Sequence, residues 1–161
     1  MFYEYQILEV TNEKLKKKYA EQILRSLPDW FGKEESLIEY AHAVVSHPFF
    51  GAFINDECIG FFSGTIHHKR TGDIYVCGLH PNYHRKGIGR KLYQTLERYF
   101  YSQGCEYVMV KTLSPSHPDR HYALTRKFYE AQGFKDFYTD HEIWGKENPC
   151  LIMIKNIERA V

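Results

Sequence analysis

Cysteine is scarce in this sequence and is never clustered. The four cysteines, Cys58, Cys77, Cys105 and Cys150, lie far apart and form no C-x-x-C pair. Three of them sit inside apolar runs, where a free thiol behaves as a small hydrophobic side chain. We therefore expect buried, reduced thiols and no disulfide framework.

The sequence also has no long apolar run and no large excess of charge of one sign. Its N-terminal stretch does not have the pattern of a secretory signal. No window approaches the apolar length that a membrane span needs. The N-terminal stretch mixes acidic with apolar residues and has no basic lead or small-residue cleavage site. The net charge of +1, from 21 Lys+Arg against 20 Asp+Glu, supplies no overall field that would attract nucleic acid. These absences predict a cytoplasmic protein with no membrane partner and no nucleic-acid partner.

Histidine is plentiful, yet its spacing does not favour a metal site. Among the nine histidines, the pair His80/His84 straddles a proline, and so does the pair His117/His121. Neither pair can therefore be assumed to share a helical face. No metal site is predicted.

The chain reads as one domain, 1–161, because it has the length of an ordinary domain and contains no repeats or Gly/Ser-rich linkers. Apolar positions recur every four residues from Glu13 to Leu27, with Asn12 as a cap, and predict an amphipathic helix. Similar spacing predicts a second helix over 36–46. Aromatic and β-branched runs predict strands, of which the second and third form a hairpin. The predicted strands are 3–10, 49–54, 58–67 and 73–79.

The second half of the chain alternates helices with strands. A helix that begins near Ile88 is stopped by Gly104, and another over 122–132 is ended by Gly133. Strands are predicted over 105–113, 134–138 and 150–157. The predicted fold class is therefore α/β (α+β), a central mixed, mostly antiparallel sheet flanked by helices.

The loop over residues 80–89 is the most informative segment. Gly87 and Gly89 lie between a strand and a helix, where the missing Cβ atoms let backbone N–H groups approach a ligand. The helix N-terminus adds a partial positive charge. Four cationic side chains surround the turn: Arg85, Lys86, Arg90 and Lys91. These residues favour a bound phosphate and an ordinary turn with a solvated basic rim about equally.

Two common nucleotide motifs do not account for this loop. A P-loop needs G-x-x-x-x-G-K-[ST], which is absent, and a Rossmann turn needs G-x-G-x-x-G near the first strand. Here the third position after Gly89 is Leu92, and the loop follows several predicted strands. Both motifs are excluded.

The segment resembles the acetyl-CoA-binding motif of GNAT acetyltransferases, Q/R-x-x-G-x-G/A after a strand that ends V-x-P. The chain has Leu79-His80-Pro81 and then His84-Arg85-Lys86-Gly87-Ile88-Gly89, with histidine at the first motif position. The stretch 128–134, FYEAQGF, resembles the family's later F-Y-x-x-x-G-F motif. Two motifs in the right order are more specific than either alone.

The resemblance implies an N-acetyltransferase with acetyl-CoA as co-substrate and with splayed central strands that form the acetyl-CoA cleft. The pyrophosphate would lie on the amides of residues 85–90, and the pantetheine arm would follow the strand edge. The implied cofactor-binding residues are Cys77, Leu79, His84, Arg85, Lys86, Gly87, Ile88, Gly89 and Arg90.

The resemblance also implies roles in direct acetyl transfer through a ternary complex. Tyr129 matches a tyrosine thought to protonate the leaving thiolate, and the Leu79 N–H matches the oxyanion donor. Asp73 stands where some relatives carry a glutamate base that acts through water. The residues alone leave open a packing role for Tyr129 and a turn position for Asp73. Cys77 is not expected to act as a nucleophile, since it has no assigned histidine partner.

The predicted acceptor is a primary amine of a small molecule or peptide, and the resemblance implies that the aromatic residues Trp30 and Phe31 line its site. The residues alone leave it equally open that Trp30 is a plug over the core. A homodimer is left open. Two alternatives have less support. The Tyr129 motif argues against a non-catalytic acyl-CoA-binding module, and the neutral charge balance argues against nucleic-acid binding through residues 85–91.

Overall fold

The secondary structure follows the sequence patterns, with shifts at several ends. The computed structural model describes residues 4–157. Within them the helices are α1 (Glu13–Arg25), α2 (Glu34–Ala43), α3 (Ile88–Ser102) and α4 (Arg120–Ala131). The strands are β1 (Gln6–Glu9), β2 (Phe49–Ile54), β3 (Glu57–His67), β4 (Thr71–Leu79), β5 (Tyr107–Leu113), β6 (Lys135–Asp140) and β7 (Cys150–Asn156).

Local hydrogen bonds explain where the helices begin and end. Asn12 caps α1 as predicted, because its side chain accepts a backbone N–H of the first turn at 3.0 Å. The helix ends at Arg25, earlier than predicted, since the next two N–H groups bond carbonyls three residues back. Helix α4 begins two residues early because Asp119 caps it, a cap that the pattern analysis missed. None of the described helices has the length and apolar character of a membrane span.

The sheet has the strand order β1-β2-β3-β4-β5-β7-β6. Strands β4 and β5 run parallel, whereas β1–β2, β2–β3, β5–β7 and β6–β7 are antiparallel, as expected for a mixed, mostly antiparallel sheet. The parallel pairing joins residues 71–74 to residues 107–110. Tyr3, the predicted start of the first strand, lies outside the described residues.

One compact unit comprises residues 4–65 and 75–99. Apolar faces of α1 and α2 pack there against strands of the sheet. The largest contributors to this core include Ile23, Leu24, Leu37, Phe49 and Phe61. Gly78 is required by the packing, since a Cβ at this position would lie 2.9 Å from a Leu27 methyl carbon. The missing side chain lets the end of α1 pack directly on β4.

The other compact unit comprises residues 66–74 and 100–157. It contains the β4–β5 pairing, strands β6 and β7, and helix α4. Arg126 of α4 donates a hydrogen bond to the Leu113 carbonyl at the end of β5. A Cβ on Gly72 would lie 2.4 Å from the Phe100 ring, so glycine is needed for this close contact as well.

All four cysteines are reduced thiols, as expected. Cys58, Cys105 and Cys150 are buried, whereas Cys77 is only half-buried, contrary to the expectation. Burial raises the pKa of Cys58 and of Cys150 to about 11, which keeps both thiols protonated at neutral pH. These side chains therefore act as packing groups and not as nucleophiles.

Candidate active site

The chain turns sharply between the end of β4 and the start of α3. Residues 81–83 form a single 3-10 turn. Two left-handed residues follow, Arg85 at φ 62° and Gly87 at φ 81°. A Cβ built on Gly87 would meet no atom within 4 Å. The space in front of Gly87 is therefore open, which suits a ligand that approaches the backbone closely.

We call residues 84–91 the glycine turn; they include the first turn of helix α3, which begins at Ile88. The Lys91 N–H bonds the Gly87 carbonyl at 3.2 Å, so the N–H groups of residues 88–90 have no acceptor within the helix. Ile88 is 1% exposed and anchors the turn in the core. The cationic side chains around it are exposed: Arg85, Lys86, Arg90 and Lys91. Amides and charge together make an anion-binding geometry.

His84 turns its side chain back onto the strand. Its Nε2 lies 2.6 Å from the Leu79 carbonyl oxygen. Because a carbonyl can only accept, Nε2 carries the proton and donates it. The first motif position, whose role the sequence could not fix, therefore holds the end of β4 against the glycine turn.

The two aromatic residues predicted to bind the acceptor have different surroundings. The Trp30 ring meets the His84 ring edge-to-face with centroids 6.0 Å apart. The Phe31 ring meets Tyr40 at 5.7 Å, and both aromatics pack beside the core formed by α1 and α2. Trp30 thus contacts the glycine turn, whereas Phe31 packs against α2.

Asp73 is a buried carboxylate with two neighbouring basic side chains. Its Oδ2 lies 2.8 Å from His67 Nε2 and 4.0 Å from Lys111 Nζ. The Asp73 side chain is 7% exposed and the His67 side chain 48% exposed, so the imidazole connects the carboxylate to solvent. No cluster of three or more metal-ligating side chains occurs within residues 4–157. Asp73 and His67 form a hydrogen-bonded pair of a carboxylate and an imidazole.

Tyr129 is also buried, at 4% exposed, near the end of α4. Its ring meets Phe128 at 5.5 Å and Phe134 at 5.6 Å, both edge-to-face. The Phe134 N–H bonds the Tyr129 carbonyl at 3.0 Å and closes the helix onto β6. The FYEAQGF motif is thus a packed helix-to-strand corner that holds the tyrosine ring in a fixed position.

Comparison with protein families identifies the family to which this chain belongs. A family model described as the acetyltransferase (GNAT) family matches residues 9–134. The chain belongs to this family. The matched family is one of acetyltransferases. The residues present fit the phosphates of acetyl-CoA, since the glycine turn offers an open backbone, helix amides and exposed cations.

Similar proteins share the GNAT fold. A Desulfovibrio desulfuricans protein assigned to the GNAT family gives a TM-score of 0.82 at 18% identity, over 95% of this chain and 99% of that chain. An aminoglycoside 6'-N-acetyltransferase complexed with coenzyme A gives a TM-score of 0.74 at 20% identity, over 97% and 99%. Mycothiol acetyltransferase from Saccharopolyspora erythraea is 33% identical over 87 residues, 54% of this chain. This chain covers 25% of that relative's length.

The structure adds contacts that the sequence analysis of this GNAT protein missed. It brings Leu79, His84 and Trp30 into one chain of contacts. It also gives Asp73 a histidine neighbour. A signal for the latter existed, because His67 and Asp73 lie at equal distances from Arg70 on either side of the turn between β3 and β4. Residues that flank a hairpin turn symmetrically face each other across the strands.

Proposed function

We propose that this GNAT acetyltransferase moves the acetyl group of acetyl-CoA directly onto a primary amine of a small molecule or peptide. The open backbone at Gly87 carries the proposal, because it stands at the start of a helix surrounded by exposed cations. Phosphate oxygens are the ligands that such a helix start favours. Two of the similar proteins are named for small-molecule acceptors, mycothiol and aminoglycosides, which supports an acceptor of that size.

In this proposal the attacking amine adds to the thioester carbonyl, and the oxyanion that forms needs a donor. The Leu79 N–H is the proposed donor. Its residue is held at the end of β4 by the His84 Nε2 hydrogen bond to the Leu79 carbonyl. His84 is thus a positioning residue in this scheme, because it orients the donor without contacting the reacting atoms.

The amine must lose a proton, and Asp73 is the proposed acceptor of that proton through a bridging water. A base buried to this degree must return the proton to solvent after each turnover. The half-exposed His67 imidazole, 2.8 Å from the carboxylate, offers that route. The amine proton would pass to Asp73, and from there through the imidazole to bulk water.

When the oxyanion collapses, the bond between the acetyl carbon and sulfur breaks, and the departing coenzyme A thiolate would take its proton from the Tyr129 hydroxyl. The tyrosinate would regain a proton from water before the next turnover. The two neighbouring phenylalanine rings fix the orientation of the Tyr129 ring. A second candidate function, a non-catalytic acyl-CoA-binding module, is favoured by the same burial, since a tyrosine that only packs would have these neighbours.

Release of free thiol distinguishes the two functions. Incubating the protein with acetyl-CoA and a panel of small amines should release coenzyme A thiol, measured with a thiol reagent, at a rate that depends on the amine. Initial rates with both substrates varied should give intersecting reciprocal plots, as a ternary complex requires. Parallel plots would contradict direct transfer, and tight acetyl-CoA binding without thiol release from any amine would favour the binding module.

A further inference from the structure

Strand β6 forms one edge of the sheet. It pairs with β7, and no strand among residues 4–157 pairs with its other side. Its middle carries the two most exposed large apolar side chains of the described chain, Phe137 at 67% and Tyr138 at 57%. An exposed strand edge with adjacent aromatic rings is a template for pairing with another strand.

An irregularity in β6 decides which of its side chains share a face. Lys135 lies opposite Ile154 and Asp140 lies opposite Cys150, and the register shifts by one residue at Phe137. Residues 154 and 150 are four positions apart on β7 and therefore point to the same face. Lys135 and Asp140 must then also share a face, although they are five positions apart. In a regular strand they would point to opposite faces.

The shared face makes β6 complementary to a second β6. Residues directly opposite in an antiparallel pair point to the same face, and a two-fold axis keeps each residue on its face. Aligning the two strands end to end sets Lys135 against the partner's Asp140, which satisfies that condition. The same alignment sets Phe137 against the partner's Tyr138. Opposite charges then meet at both ends, and the exposed aromatic residues of both strands lie at the centre.

Neighbouring registers lack this complementarity. A shift of one residue pairs side chains from opposite faces, and in one direction it sets Asp136 against the partner's Asp140. The Asp140 carboxylate is also held in its charged form, because hydrogen bonds from the Glu142 and then the Ile143 N–H lower its pKa. The end-to-end register is therefore the one that both charge and geometry favour.

We propose that this protein forms a homodimer through antiparallel pairing of two β6 edges, centred between Phe137 and Tyr138. The inference is independent of the acetyl-transfer scheme, since none of its residues belongs to that scheme. A six-residue strand is a short contact, so the dimer should dissociate on dilution.

Charge reversal provides the sharpest test. Each symmetric dimer would contain two Lys135–Asp140 pairs, so Lys135→Asp alone and Asp140→Lys alone should each create two like-charge pairs. Either change should weaken dimerisation about tenfold or more by sedimentation velocity. A mixture of the two variants should recover a heterodimer in which both pairs are again opposite in sign. Wild-type protein that stays monomeric at all concentrations, or a mixture that stays monomeric while both variants melt like wild type, would overturn the proposal.

The aromatic centre is tested separately, because Asp140→Lys also removes an acceptor from the turn after β6. Phe137→Ser should weaken the dimer strongly without lowering the melting temperature of the monomer. The matched control is Leu124→Ser, which removes an exposed apolar side chain, 48% exposed, from α4. If both serine variants weaken the dimer equally, or if neither does, the β6 edge is not the interface.

Discussion

Replacing Gly87 with alanine should separate the cost of backbone strain from the loss of acetyl-CoA binding. Gly87 has φ 81°, and a Cβ there meets no atom within 4 Å, so the substitution creates no clash within the protein. The cost to folding is the left-handed conformation itself, about 1–2 kcal/mol for a residue with a side chain. For a chain of this length that corresponds to a fall in melting temperature of roughly 2–8 °C.

Gly104 offers a matched control. Its φ is 89°, and a Cβ there also meets no atom within 4 Å, so Gly104→Ala should lower the melting temperature by a similar amount. Only Gly87→Ala should weaken acetyl-CoA binding, because its new Cβ occupies the space in front of the helix amides. We expect a loss of about tenfold or more in calorimetric affinity, or roughly 1.4 kcal/mol, and a larger loss for Gly87→Val. Equal affinities in the two folded alanine variants would refute the assignment of the glycine turn.

Four further changes test the proposed roles. Trp30→Ala should raise the acceptor KM while leaving acetyl-CoA affinity within about twofold, and the reverse pattern would show that Trp30 serves the glycine turn instead. His84→Phe should lower kcat, and His84→Gln, which keeps an N–H donor, should restore part of it; equal rates would remove His84 as a positioning residue. His67→Asn should slow turnover and be rescued by added imidazole, whereas His68→Asn should do neither, and a defect that imidazole does not relieve would argue against proton transfer. Tyr129→Phe should lower kcat on the order of a hundredfold with little change in acetyl-CoA Kd, and a wild-type kcat would return Tyr129 to packing.

Most of the fold could be predicted because the spacing of apolar residues agrees with the positions of the residues that end helices. Gly104 and Gly133 end α3 and α4 where predicted, and both have positive φ values of 89° and 101°. The start of β4 was misplaced by two residues for a physical reason. His68 and Lys69 form the turn before it, both at φ 54°. Glycine or asparagine at these positions would have indicated a left-handed turn, whereas histidine and lysine do not.

The candidate site was predictable to a smaller extent. The motif located the glycine turn, because the spacing of glycines indicates the backbone conformation on which phosphate binding depends. Side-chain contacts depend on which segments the fold brings together, and a short motif does not predict them. The bond from His84 to the Leu79 carbonyl and the contact between Trp30 and His84 both arise from folding of the loop. The sequence could therefore identify these residues as candidates but could not predict the contacts between them.

The backbone strain in the structure supports the location of the site independently of any motif. Arg85 and Gly87 both adopt left-handed conformations within three residues, at φ 62° and 81°. A left-handed arginine carries a backbone cost, which the surrounding contacts must offset. The turn leads into the start of α3, and the unpaired N–H groups at a helix start bind anions. The strain is maintained by the buried Ile88 on one side and by the His84 bond to β4 on the other. A turn held in this way keeps the space in front of Gly87 open, as the proposed phosphate site requires.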